Sequence, residues 1–381
     1  MLTKLYCSLS ACRPQASALK NIIVTFVKKN LMNEKEKWMQ RAIEVAKLGS
    51  GYVHPNPLVG CVIVKDGNII SEGYHQYYGG AHAEVNAVKK LEKQGFQEWD
   101  KVEMYVTLEP CSHFGKTPPC TNLILEKGIK KVFIATVDVN PVVAGKGIEK
   151  LKQNDVYVEV GILEQEAREL NKRFFMYHLN KRPYIILKWA ESKDGFISKI
   201  NFLSREENII SSDEALKIVH LWRSEEQSIL VGYNTVIADN PQLNVRLVKG
   251  KNPVKIVLDK NLNLDIEKYQ VFKGDEKVIV FNSLNDKEER NIIFKKINWE
   301  NKVEEILKNL YEVQIVSVLI EGGRKTLQEF LDKKMFDEIR IIKSKEKIFN
   351  EGIKTPDLLD DLKCVEKIEL EKDMIEVWKK Q

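Results

Sequence analysis

The sequence predicts an α/β protein of two domains, and three observations lead there. At 381 residues the chain exceeds one ordinary hydrophobic core. Runs of β-branched and aromatic residues alternate with runs of helical periodicity, the pattern of sheets covered by helices. A polar stretch closed by proline, Asn180-Lys181-Arg182-Pro183, interrupts that alternation near the middle. Residues 32–178 are therefore expected to form one domain and residues 183–381 another, behind a basic segment 1–31.

That segment accounts for the net charge. Lys4, Arg13, Lys20, Lys28 and Lys29 lie in residues 1–33, which hold no acid. Removing these five from 60 basic residues leaves 55, against 55 acidic ones, so the body of the chain is neutral. A neutral body has no electrostatic footprint for a polyanion, and no nucleic-acid partner is expected. The segment reads either as a start placed too early, with synthesis beginning at Met32, or as a targeting segment rich in serine and alanine. No run approaches the roughly 20 apolar residues that span a bilayer, so no membrane partner is expected. Six cysteines in a chain this long do not make a disulfide framework, and a reducing, cytoplasmic setting is expected.

In the first domain, Asn33 is placed to cap a helix whose Trp38, Met39, Ala42, Ile43 and Ala46 share one face. The loop His54-Pro55-Asn56-Pro57 leads into a hairpin of Val59 to Val64 and Ile69 to Tyr74, turning at Asp66-Gly67. A helix is predicted over Ala83 to Leu91, a strand over Val102 to Thr107 and a loop over Glu109 to Pro119. A helix over Thr121 to Glu126, a strand over Lys131 to Thr136 and one helix over Leu163 to Leu179 complete the domain. In the second, strands are predicted at Tyr184 to Trp189, Ser228 to Gly232, Val254 to Leu258, Lys277 to Phe281 and Ile315 to Ile320, with helices at Ser212 to Arg223 and from Thr326. The charged run Asn285 to Arg290 reads as a solvated loop or a helix start.

Three short strings carry the chemistry: His82-Ala83-Glu84, Glu109-Pro110-Cys111 and Pro119-Cys120. One imidazole and two thiolates are three zinc ligands, which leaves a fourth position for water, as catalytic rather than structural sites do. A closed structural site would need a fourth protein ligand, for which His113 is the nearby candidate. Zinc acidifies its water, and Glu84, two residues from the histidine, is placed to move the protons. His82 and Glu84 fall in the first turn of a helix, whose positive end favours hydroxide. Histidine, glutamate two residues on and later proline–cysteine pairs are the signature of zinc-dependent base deaminases. Here eight residues separate Cys111 from Cys120 instead of two.

The second domain carries weaker signals. Gly322-Gly323 between a strand and a helix suits a phosphate, because backbone N–H groups point outward at a helix start. No Gly-x-Gly-x-x-Gly follows a strand, so a Rossmann dinucleotide site has no support. Arg223, Arg246, Arg324 and Lys325 read either as phosphate holders or as surface charges.

His54-Pro55-Asn56-Pro57-Leu58-Val59-Gly60, Gly73-Tyr74-His75, Thr107-Leu108-Glu109-Pro110-Cys111-Ser112-His113, Gly115-Lys116-Thr117-Pro118-Pro119-Cys120 and Asp138-Val139-Asn140-Pro141 together resemble the bifunctional deaminase–reductase family of riboflavin biosynthesis (RibD). Leu187-Lys188-Trp189-Ala190, Asp194-Gly195, Thr235, Asp239-Asn240-Pro241, Arg246 and Glu321-Gly322-Gly323 resemble its reductase half, and the likeness covers residues 32–340. The resemblance implies a cytidine-deaminase-like α/β/α domain followed by a dihydrofolate-reductase-like α/β domain. It implies zinc-dependent removal of the 2-amino group of 2,5-diamino-6-(ribosylamino)-4(3H)-pyrimidinone 5′-phosphate. NADPH-dependent reduction of the ribosyl group to ribityl would follow.

It implies His82, Cys111 and Cys120 as the ligands of zinc (Zn2+), with Glu84 catalytic. NADPH would meet Ala190, Ile209, Thr235, Asp239, Gly323, Arg324, Lys325 and Thr326. The pyrimidine nucleotide would meet Asn56, His75, Glu207, Arg223, Leu243, Arg246 and Glu321. Lys188 reads either as a structural strand lysine or as a group that polarises the sugar carbon. A homo-oligomer is expected with it. The usual Gly-Glu-Ser-x-Trp-Ile string of this family stands here as Arg205-Glu206-Glu207-Asn208-Ile209-Ile210, so glutamate replaces a serine expected at the substrate and isoleucine an aromatic expected at the cofactor. The competing reading is a deaminase alone, with an inactive or oligomerising C-terminal domain that binds no NADPH. An RNA-binding relative is the other, and would show a salt-sensitive RNA complex.

Overall fold

In the computed structural model, residues 32–114, 118–140, 144–200 and 205–381 are described. The segment 1–31, with its two readings, lies outside them, as do Gly115-Lys116-Thr117 and Pro141 of the family strings. The chain divides into two compact units: the first takes in residues to Leu48, Val59–Gln76 and Gly80–Leu170, and the second Gly49–Leu58, Tyr77–Gly79 and Asn171–Gln381.

The first unit runs α1 (Glu34–Ala46), β1 (Gly60–Lys65), β2 (Asn68–Tyr74), α2 (Ala83–Glu92), β3 (Glu103–Val106), α3 (Cys120–Lys127), β4 (Lys131–Ile134), α4 (Lys146–Gln153), β5 (Tyr157–Val160) and α5 (Glu164–Leu170). A reciprocal capping box starts α1: the Asn33 side chain accepts from Glu36 N–H at 3.0 Å, and Glu36 accepts from Asn33 N–H at 2.9 Å. The sheet order is β2-β1-β3-β4-β5, with β1 antiparallel to both neighbours and β3, β4 and β5 parallel. Strand alternation sends Cys61, Ile63, Met104 and Val106 to the face packed with α2, α3 and α4. Val62, Val64, Tyr105 and Phe133 face α1 and α5 instead. The sheet is thus a middle layer, and the loops after β3 and β4 and the starts of α2 and α3 hold the chemistry.

The helix expected over Leu163 to Leu179 is two helices, α5 and α6 (Lys172–Asn180), broken at Asn171 (φ −105°, ψ 21°). The buried Asn171 amide donates to the Leu58 carbonyl and accepts from the Leu58 N–H, both at 2.8 Å. That pair fixes the Asn171 side chain on the Leu58 backbone at the point where the two helices meet.

The second unit continues with β6 (Tyr184–Glu191), β7 (Phe196–Lys199), α7 (Arg205–Asn208), α8 (Asp213–Glu225), β8 (Ser228–Gly232), α9 (Tyr233–Asp239), β9 (Val254–Leu258), β10 (Val278–Asn282), β11 (Lys287–Glu289), β12 (Ile292–Lys296), α10 (Lys302–Glu312), β13 (Ser317–Ile320), α11 (Arg324–Asp332), β14 (Glu338–Ser344), β15 (Gly352–Lys354), β16 (Leu362–Glu369) and β17 (Asp373–Lys380). Its large sheet has the order β11-β12-β10-β9-β8-β13-β6-β14-β17-β16. From β12 to β14 every pairing is parallel, and antiparallel strands close both edges. The inner strands are buried on both faces, as Ser-Ile-Leu-Val-Gly of β8 shows, which is why they read as unbroken apolar runs. The run Asn285 to Arg290 holds the edge strand β11 rather than a loop or helix start. Charged residues suit an edge, where they discourage further pairing. Among the described residues, no helix is long and apolar enough to cross a membrane.

Candidate active sites

His82 is the N-cap of α2, in extended backbone, and Glu84 stands in that helix's first turn. Cys120 opens α3, and Cys111 lies in the loop after β3. His82 Nδ1 and the two Sγ atoms lie within 4.8 Å of one another, with Nδ1 3.2 Å from Cys120 and 3.5 Å from Cys111. Donors about 2.0–2.3 Å from a tetrahedral zinc sit roughly 3.5 Å apart, so this set fits one zinc with a fourth position open. Hydrogen bonding from the Cys120 thiol, then from His82 and the Cys120 N–H, pulls the Cys111 thiol down to about 4 against burial. Glu84 is 3 % exposed, and burial raises its pKa while the charge on His82 opposes the rise.

The surroundings hold these residues in place. A side chain at Gly73 would bring a Cβ 2.3 Å from the Ala83 carbonyl and 2.4 Å from the Ala87 nitrogen, so only glycine lets β2 lie this close to α2. The Asn86 amide donates to the Tyr74 carbonyl at 2.8 Å and ties the same two elements together. His75, just past β2, is 3 % exposed and meets the His82 ring edge-on, with centroids 5.7 Å apart. Its Nδ1 is 3.0 Å from the Ala81 carbonyl, which can only accept, so Nδ1 carries the hydrogen. Burial, and after it the charge on His82, lowers its pKa and favours the neutral ring.

Sequence reasoning singled out neither Glu109 nor Asp138 for a role. Both are buried, and burial, with Glu109 and Cys111 adding to it, pushes Asp138 up to about 6. Their signal was position within the strings that carry Cys111 and Asn140, which says nothing of what a carboxylate there binds.

In the second unit, a cleft of about 760 Å³ lies where β8 and β9 end and α9 and α11 begin. Thr235, Gly323, Arg324, Lys325 and Thr326 of the expected cofactor set line it, together with Lys260, Asn261 and Lys302. The Gly323 N–H donates to Thr235 Oγ1 at 2.8 Å, which joins the starts of α9 and α11. Arg324 also donates to the Thr355 carbonyl at 3.1 Å and pairs with Asp357 at 2.9 Å. The volume is in the range of small-molecule sites, and cations beside a helix start suit a phosphorylated dinucleotide.

A charged cluster stands apart from that lining. Arg223 of α8 grips Glu321 with two bonds, Nε to Oε1 at 2.9 Å and a terminal nitrogen to Oε2 at 2.8 Å. Lys188 of β6 reaches the same carboxylate at 3.5 Å. Burial pulls Lys188 below its usual range despite Glu321. Although burial opposes it, Arg223 and then Lys188 hold Glu321 at about 2. The exposed Arg246 side chain donates to Asn244 Oδ1 at 3.0 Å, and its backbone N–H donates to the buried His220 at 3.1 Å.

The remaining expected residues are not brought into either group. Ala190 pairs with Ile342 across β6 and β14, and Asp239 ends α9. Leu243 is 2 % exposed and packs with Ile229, Val231 and Val257, so its backbone is what it can offer a ligand. Ile209 is exposed, and Glu207 of α7 has its carboxylate 3.9 Å from Lys199 Nζ, which offsets its charge. Asn56 lies in the Gly49–Leu58 segment of the second unit, its N–H donating to Val53.

Residues 32–136 match the cytidine and deoxycytidylate deaminase zinc-binding region, and residues 183–344 match the RibD C-terminal domain. A riboflavin biosynthesis protein RibD of Aquifex aeolicus is 42% identical over 333 residues, covering 85% of this chain and 90% of that protein. One from Actinobacillus pleuropneumoniae is 41% identical over 329 residues, covering 84% and 86%. The crystal structure of a diaminohydroxyphosphoribosylaminopyrimidine deaminase/5-amino-6-(5-phosphoribosylamino)uracil reductase from Thermotoga maritima superposes with a TM-score of 0.84 at 40% identity, covering 91% of this chain and 99% of that one. A RibD of Acinetobacter baumannii superposes at 0.82, with 33% identity and the same coverage. The expected fold class, a cytidine-deaminase-like domain followed by a reductase domain, agrees with these matches.

Proposed function

Because this chain belongs to the RibD family of riboflavin biosynthesis, we propose that its two domains, residues 32–178 and 183–381, catalyse successive steps on one pyrimidine nucleotide. The first is hydrolytic deamination of 2,5-diamino-6-(ribosylamino)-4(3H)-pyrimidinone 5′-phosphate. The second is NADPH-dependent reduction of its ribosyl chain, giving 5-amino-6-(5-phosphoribitylamino)uracil. The observation that carries the reading is the meeting of His82, Cys111 and Cys120 beside a buried glutamate.

Bound zinc supplies an acidified water at neutral pH. Glu84 would relay both protons of that water in turn, the first to the ring nitrogen as the water oxygen bonds to the amine-bearing carbon, and the second to the amine as the C–N bond breaks and ammonia leaves. Burial suits it to this work, because a carboxyl held above its usual range gives back what it takes. Neutral His75, just past β2, borders the pyrimidine.

NADPH supplies a hydride for the sugar carbon. Thr235 and the Gly323–Thr326 turn hold the cofactor's phosphates in the cleft, and Lys260 adds a cation that sequence reasoning passed over. Ala190, Ile209 and Asp239 complete the cofactor set. Lys188 stands on Glu321 as proton donor to the sugar oxygen, and burial lowers its hold on that proton. Arg223, Arg246, Glu321, the Leu243 backbone and Glu207 surround the nucleotide. Arginine suits its phosphate through bidentate, charge-assisted bonds.

A cytoplasmic setting belongs to the same reading, supported by four free cysteines among the described residues, two of them metal ligands. So does a homo-oligomer, supported by the open edge of β16 with Val365 half exposed on it. The neutral body supports the absence of a nucleic-acid partner.

The test is an assay with the diaminopyrimidine nucleotide, with and without NADPH. Ammonia should appear without NADPH, and NADPH oxidation should follow only after deamination. Glu84→Gln should keep zinc and lose ammonia release, and retained turnover in that variant would sink the assignment.

A further inference from the structure

We propose that Glu109 is a positioning residue that sets the thiolate of Cys111 for zinc, an inference resting on the zinc-dependent reading above. The buried Glu109 side chain accepts four backbone hydrogen bonds. Oε1 takes those of Gly147 at 2.8 Å and Ile148 at 3.2 Å, and Oε2 takes those of Gly145 at 2.9 Å and Asp138 at 3.2 Å. Its own N–H donates to the Thr136 carbonyl at 3.0 Å. One side chain thus joins the loop after β3 to the loop after β4 and to the first turn of α4.

The join is also close. A Cβ at Gly147 would lie 2.1 Å from the Pro110 carbonyl, so the metal loop presses directly on the α4 backbone. On its other side Cys111 is held by α3. Its carbonyl accepts from the Thr121 N–H and hydroxyl, both at 3.2 Å, and its Sγ accepts from the Cys120 N–H at 3.3 Å. Cys111 therefore sits on a short bridge between α3 and α4, and Glu109 holds the α4 end of it.

Two carboxylate oxygens offer about four acceptor positions, and all four donors here are backbone N–H groups. An amide at this position would turn an NH2 toward two of them. The loop must then shift, and Cys111 Sγ with it. Ligand distances tolerate only about 0.2 Å, so the zinc affinity should register that shift. Groups that orient a metal ligand without touching the metal commonly change affinity by about tenfold to a hundredfold.

The experiment uses the full chain as wild type, Glu109→Gln and Glu109→Asp, and measures zinc affinity by chelator competition. It adds the visible spectrum of the cobalt-substituted protein and the melting temperature with and without zinc. Glu109→Gln should bind zinc about tenfold or more weakly, with shifted cobalt bands and a smaller zinc-induced rise in melting temperature. Should the glutamine variant not fold, Glu109→Asp, whose shorter side chain cannot reach all four donors, carries the same expectation. Lower melting temperatures with zinc affinity within about twofold of wild type, and an unchanged cobalt spectrum, would make Glu109 structural only and overturn the proposal. A wild-type protein that binds no zinc would instead overturn the deaminase reading, and this inference with it.

Discussion

His220 lies one helical turn before Arg223 in α8, is 1 % exposed, and belongs to no motif that the sequence offered. Its Nδ1 accepts the Arg246 N–H, so the ring must be neutral with its hydrogen on Nε2. Burial first, and then the charges of Arg223 and Arg246, push its pKa down to about 4. The unfolded chain would titrate this group near 6.5. Between the two values the unfolded state binds more protons, so the contribution to stability is complete above about 6.5 and is lost as pH falls toward 4. Glu321, held at about 2, acts in the lower window below its ordinary 4.5. The melting temperature of the wild type should therefore fall more steeply between pH 6.5 and 4.5 than that of His220→Gln. Parallel slopes in that window would show that His220 is not the group responsible. A lone histidine in a helix gives no sequence signal of this kind, because its burial is set by tertiary packing and its hydrogen-bond donor, the Arg246 N–H, comes from a loop 26 residues on.

Elements whose signals are local were legible, and those defined by distant partners were not. The cap of α1, the hairpin β1–β2 and the inner strands of the large sheet follow from capping chemistry, turn residues and apolar runs. The break at Asn171 coincides with its pairing to Leu58, 113 residues away, and β11 exists through its pairing with β12. The cleft shows the same division. Gly322-Gly323 was readable as a strand-to-helix turn, but its tie to α9 through Thr235 spans 88 residues. Thr235→Val keeps the shape and removes the acceptor of the half-buried Gly323 N–H, a bond on the scale of about 0.5–1.5 kcal/mol. Since about 1.4 kcal/mol is tenfold in affinity, KM for NADPH should rise by about twofold to tenfold. Ammonia release should stay unchanged. A loss of ammonia release together with NADPH binding would show that the substitution disrupts folding rather than the α9–α11 junction.

At the scale of the whole molecule, the metal ligands and Glu84 all belong to the first unit, whereas the cleft and the Lys188–Glu321–Arg223 cluster all belong to the second. Each unit has its own hydrophobic core, built on its own sheet. No residue assigned to proton transfer in one reaction is therefore shared with the other, and single substitutions should separate the two activities. Glu84→Gln should abolish ammonia release yet oxidise NADPH at the wild-type rate when given the deaminated nucleotide. Lys188→Met should release ammonia normally and lose NADPH oxidation by at least about a hundredfold, the scale of a lost proton-transfer group. A chelator that strips zinc should reproduce the first phenotype and leave the second reaction intact. Mixing the two variants should restore the complete sequence, at a rate that depends on release of the intermediate into solution. If either substitution silenced both reactions while the protein stayed folded, the assignment of one reaction to each unit would fail.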